Sequence, residues 1–120
     1  YLSTKAKQLV LHGVRRGKKL TCCGDEPYNE CEQKYAKNST WLLHEAFCLF
    51  SQADNSNHME TSFYCKDACE LAQKLEAENL ILYHTEDKNI SRRKELYTEE
   101  GRQYYKGNLW IPDDLETYKL

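Results

Sequence analysis

Six cysteines and four histidines are the side chains of this sequence best equipped for chemistry, and their spacing narrows what that chemistry is. Cys22 and Cys23 are adjacent, Cys31 and Cys48 stand alone, and Cys65 and Cys69 lie four apart. An even number of cysteines in a chain of 120 residues reads as a disulfide framework formed in an oxidising compartment. Sequence neighbours pair only with strain, and two cysteines four apart on a helix point the same way, so each doublet should reach two different partners. The expectation is three bridges, with Cys22 and Cys23 tying an N-terminal helix to other helices and Cys65 and Cys69 among the receivers. Structural zinc sites usually carry two close pairs of the C-x₂₋₄-C kind. Only Cys65 and Cys69 have that spacing, so no metal and no cofactor is assigned.

The histidines, His12, His44, His58 and His84, are scattered. His44-Glu45 lacks the second histidine of H-E-x-x-H, and there is no G-x-S-x-G, phosphate loop or dinucleotide fingerprint. The carboxylate pairs Glu99-Glu100 and Asp113-Asp114 read as solvated surface. No catalytic residue is assigned, and the expectation is a protein that is not an enzyme.

Binding features are easier to find. The net charge is -2, yet the first 20 residues hold six bases and no acid, against eleven bases and nineteen acids in the rest. Arg15, Arg16, Lys18 and Lys19 therefore form a candidate anion site for a sulfated glycan, a phospholipid headgroup or an acidic protein face. The acidic remainder argues against nucleic acid. Tyr97, Tyr104, Tyr105 and Trp110 offer amphipathic rings for a recognition surface. Asn38-Ser39-Thr40 and Asn89-Ile90-Ser91 are glycosylation sequons, and with the cysteines they point to secretion into the extracellular space. No apolar run approaches the roughly 18 residues a membrane span needs. The absence of an initiator Met and of a leader reads as a mature chain.

The elements that would position these residues read as helices. Ala6, Leu9, Val10, Gly13 and Val14 fall on one helical face within 4–16. Residues 28–37 carry Tyr28, Cys31 and Tyr35 along one side. Thr40 caps a stretch from Trp41 to Ala53 whose stripe is Leu42, Ala46, Leu49, Phe50 and Ala53. Asn57-His58-Met59-Glu60 matches a capped helix start, followed by Tyr64, Ala68, Leu71, Ala72 and Leu75. Residues 79–84 read either as the end of that helix or as a short strand. A last helix starts near Thr85 and carries Ile90, Tyr97 and Tyr104.

Two stretches resemble known families. Lys18 to Cys23, followed by Cys31-Glu32-Gln33-Lys34-Tyr35-Ala36, looks like the start of a complement anaphylatoxin domain, a small helical bundle with three disulfides; that family's closing cysteine pair is missing. Trp41-Leu42-Leu43-His44-Glu45-Ala46-Phe47-Cys48, residues 79–87 and Trp110-Ile111-Pro112 resemble parts of C-type-lectin-like domains, without the closing strands and cysteines. Hydrophobic residues make up 40% and charged residues 30% of the chain, with a mean hydropathy of -0.85, so the core is modest and staples would help. The expected architecture is a single domain over 1–120, mostly α, a disulfide-stapled bundle of four to five helices. Its expected role is a secreted protein acting by contact with an extracellular protein partner. Alternatives are a carrier enclosing a small hydrophobic ligand among Phe47, Phe50 and tyrosines, and a divergent C-type-lectin-like fragment.

Overall fold

A computed structural model describes residues 17–24, 29–53 and 63–120. Strands and helices alternate along them: β1 (Leu20–Cys22), α1 (Glu30–Ala36), β2 (Trp41–Glu45), a 3₁₀ turn (Phe50–Gln52), α2 (Cys65–Lys74), β3 (Asn79–Tyr83), a second 3₁₀ turn (Ile90–Arg92), α3 (Arg93–Gly101) and β4 (Asn108–Trp110). All four strands are parallel and lie side by side in sequence order. The fold is therefore α/β, which corrects the expected helical bundle.

The largest correction falls on residues 41–53. Their helical stripe competes with a shorter alternation, in which Leu42 and His44 are buried between the half-buried Trp41, Leu43 and Glu45. As a strand, this segment pairs with β1 on one side and β3 on the other. Both rows of backbone groups are thereby satisfied, and Leu42 is brought level with Leu80. The strand reading of 79–84 agrees with β3, whose centre, Leu80, Ile81 and Leu82, is buried throughout, as parallel strands usually are.

Each helix has local reasons to form. Asn29 caps α1, its side chain accepting from the Cys31 N–H at 3.0 Å, and Glu30 and Glu32 face the positive end of the helix dipole. After α1, Asn38 turns the chain at φ 59°. The buried Ser39 hydroxyl then donates to Ala36 O, also lying 2.7 Å from the Thr21 hydroxyl. The second helix begins at Cys65. Phe63 and Tyr64 are extended, and the Tyr64 N–H donates to the Asp67 carboxylate at 3.2 Å. The predicted start at Asn57-His58-Met59-Glu60 and the helix over 4–16 lie outside the described residues. Likewise, residues 85–89 are not helical, and the last helix proper runs from Arg93 to Gly101.

No disulfide joins any of the six cysteines, which corrects the stapled framework. Cys65 and Cys69 instead pack as small apolar side chains with Ala68, Ala72 and Leu75 between α2 and the sheet. A neighbouring Cys69 sulfur and burial hold the Cys65 thiol protonated, far above the usual thiol range. Gly101 permits the close approach of α3 here, since a Cβ would sit 2.5 Å from Leu109 Cδ2 and 3.0 Å from Cys69 Sγ. Cys22 and Cys31 are exposed. No described helix is long and apolar enough to cross a membrane.

Candidate functional site at the carboxyl edge of the sheet

In open α/β sheets, ligands bind beyond the carboxyl ends of the strands where the strand order reverses; here the order runs without reversal, and the carboxyl edge is marked instead by the residues that meet there. Here β2 ends on Glu45, paired in register with Tyr83 at the end of β3, and His84 follows immediately. His84 Nδ1 lies 3.4 Å from Glu45 Oε2; the imidazole is 59% exposed and the carboxylate 15%. His84 adopts φ 52°, a left-handed conformation that costs a residue with a side chain roughly 1–2 kcal/mol. Such strain persists where the surroundings impose it, and it concentrates at functional sites. Phe47 packs edge-on against the His84 ring, with centroids 5.8 Å apart. Nδ1 of His84 thus faces a carboxylate, while more than half of the side chain remains exposed.

The neighbouring histidine plays a different part. His44 points to the opposite face of β2, is 2% exposed, sets Nδ1 2.7 Å from Glu45 O and meets Phe63 edge-on at 4.8 Å. Burial lowers its pKa, so it stays neutral in the core. On the β1 side, the Tyr83 hydroxyl donates to Cys23 O at 2.6 Å and ties the end of β3 to β1.

The residues singled out from sequence are spread elsewhere. Arg15 and Arg16 lie outside the described residues, whereas Lys18 Nζ donates to Leu120 O and Lys19 Nζ to Lys37 O, each at 2.8 Å. Tyr97 and Tyr105 are core residues, 3% and 1% exposed, and the Tyr105 hydroxyl donates to Ala77 O. Tyr104 is half-buried, and Trp110 lies on the other face of the sheet beside Trp41 and Tyr118. The four rings thus do not meet on one surface. Asn38 and Asn89 are exposed, the latter donating to Gln52. Phe47 and Phe50 face outward; a cavity near Gln52, Glu86, Asn89 and Tyr97 measures about 10 Å³, room for one water.

His84 and Glu45 carry no linear motif, because strand register and not sequence spacing brings them together. A usable signal was present. Each follows an apolar run, Trp41-Leu42-Leu43 and Leu80-Ile81-Leu82-Tyr83, and an alternating strand and helix order puts the ends of such runs at one edge.

A solved structure supports this topology. The metallo-β-lactamase fold protein YhfI from Bacillus subtilis matches with a TM-score of 0.63 and 17% identity, over 78% of this chain and 36% of that one. The likeness is one of fold. This chain spans about a third of the length of that structure. No protein-family model and no curated protein matches the sequence. The name of the fold raises the question of a metal. Catalytic zinc sites take three protein ligands, and among the described residues no three His, Cys, Asp or Glu side chains are grouped to hold an ion. His84 and Glu45 form a pair only, so the described residues do not fit a complete metal centre.

Proposed function

We propose that this chain contributes to a hydrolase site at the carboxyl edge of its parallel sheet, with His84 as general base and Glu45 as its orienting partner. The observation that carries this reading is the left-handed His84 held 3.4 Å from Glu45 across two adjacent strand ends. The likeness to a fold named for a lactam hydrolase supports it. With its proton on Nδ1, facing the carboxylate, the imidazole keeps the Nε2 lone pair free to take a proton from an attacking water. Glu45 then stabilises the resulting imidazolium, and the proton returns to the leaving group. The expectation of a non-enzymatic binder rested on the missing linear motifs, a weak ground where register builds the site. With the cysteines unpaired, the expectation of secretion rests on the two sequons.

The test is hydrolysis of a panel of nitrophenyl esters, phosphodiesters and a chromogenic lactam by the purified chain. His84→Ala should lower kcat/KM by about 10²–10⁴, and Glu45→Gln by a smaller factor, without loss of fold. A wild-type rate no higher than that of His84→Ala on every substrate overturns the reading.

A further inference from the structure

The third helix has an unusual buried face. Arg93, Tyr97 and Glu100 fall at i, i+4 and i+7, one stripe of the helix, and all three reach loops rather than the sheet. Arg93, 11% exposed in its side chain, donates from Nη1 to the Thr85 hydroxyl at 2.6 Å and from Nη2 to Pro112 O and the Asp113 carboxylate at 2.7 Å. The Tyr97 hydroxyl donates to Phe47 O at 3.0 Å and lies 3.4 Å from the Glu86 N–H, which itself donates to Phe47 O at 2.7 Å. The buried Glu100 carboxylate accepts the N–H groups of Phe50 and Ser51 at 3.0 and 2.9 Å. Thr85 and Glu86 directly follow His84; Phe47, Phe50 and Ser51 follow Glu45. One helix face therefore grips both segments that carry the candidate pair.

We infer that Arg93, Tyr97 and Glu100 are positioning residues that hold His84 against Glu45, with the Tyr97 hydroxyl as the cross-link between the two loops. This rests on the hydrolase reading above for its purpose, though the geometry can be tested without turnover. Burial holds the Tyr97 phenol well above its ordinary pKa, so it remains a donor at any physiological pH. Without that hydroxyl, Phe47 O keeps only the Glu86 N–H, and the left-handed turn at His84 loses one of its restraints.

The experiment is ¹⁵N NMR of the His84 imidazole, which reports the nitrogen that bears the proton, in wild type, Tyr97→Phe, Thr85→Val and Glu45→Gln. Thermal melts on the same samples confirm that each variant is folded. Glu45→Gln should move the His84 signals from a single Nδ1–H tautomer toward a mixture. Tyr97→Phe should move them in the same direction, with the Glu86 amide exchanging about tenfold faster, the loss expected for one hydrogen bond. Thr85→Val, which removes only the acceptor of Arg93 Nη1, should give a smaller shift of the same sign. If Glu45→Gln moves the signals while Tyr97→Phe and Thr85→Val leave them at wild type, the positioning role is wrong and the pair stands. If Glu45→Gln leaves them unmoved, the pairing itself fails and takes the positioning role with it.

Discussion

The two faces of the sheet are built from the same strands yet live in different surroundings. One face presents Leu42, His44, Leu80, Leu82 and Leu109, all at most 8% exposed, and its leucines share a single core with Ala68 and Ala72 of α2, Leu75 just after it and Tyr97 of α3. On the other are Leu20 at 56%, Trp110 at 38%, and the half-buried Trp41 and Leu43, with Ile81 at its centre. Among the described residues, the helices packed on the sheet, α2 and α3, lie on the first face, as right-handed crossovers between strands in sequence order require. Among the described residues, the C-terminal segment packs on the second face, with Tyr118 against Trp110 at 5.3 Å. Glu45 belongs to this open face, which puts the candidate site along its carboxyl margin.

That difference predicts unequal mutational costs. Leu82→Ala, on the covered face, should cost about 3–4 kcal/mol, because α2 and α3 cannot collapse into the cavity without leaving their loop anchors. Leu43→Ala, one strand over and facing the open side, should cost about 1 kcal/mol, the transfer of a half-buried side chain with no enclosed void left behind. Urea unfolding of both variants measures this. Equal losses would mean that the open face is as fully packed as the covered one.

The covered face was partly legible in the sequence and the open face hardly at all. Leu80 to Leu82 could be read as strand or helix, since a short apolar run carries no period of its own. In β2, a buried histidine interrupts what would otherwise read as a buried apolar run, and Leu42, Ala46, Leu49 and Phe50 happen to share a helical face. Strands β1 and β4 are three residues each, too short to show alternation. The third helix showed only part of its inner face, because Tyr97 shares that face with Arg93 and Glu100, which a search for apolar stripes passes over. Cysteine count pointed to bridges, whereas Cys65 and Cys69 serve as core-filling thiols. The site was illegible for a simpler reason: Glu45 and His84 are 39 positions apart, and only the β2–β3 register makes them neighbours.

Acidity should separate the faces again, through His44. Burial lowers its pKa from the ordinary 6.5, so between that value and its lowered one the unfolded chain binds a proton that the folded chain refuses. Stability is therefore unaffected above about pH 6.5 and falls as pH drops below it, with a slope of at most about 1.4 kcal/mol per unit. Between pH 7 and pH 5.5 the wild type should lose more stability than His44→Gln, which keeps a donor for Glu45 O. Parallel urea melts at the two pH values decide it. Identical pH slopes for wild type and variant would show that His44 accepts its proton in place, contrary to a closed core on that face.

The smallest effect belongs to the exposed corner of the open face. Leu20 opens β1, which among the described residues is an edge strand with no partner on its outer side, and edge strands are commonly protected by a charge. Neighbouring Lys18 and Lys19 have turned their ammonium groups to the carbonyls of Leu120 and Lys37, so neither stands guard over the strand itself. Leu20→Lys should change folding stability by less than about 0.5 kcal/mol, since the side chain loses little burial. It should also reduce any concentration-dependent association, which sedimentation velocity would detect. A loss comparable to that of Leu82→Ala would mean that Leu20 is covered in solution, and the asymmetry between the faces would then describe only the isolated chain.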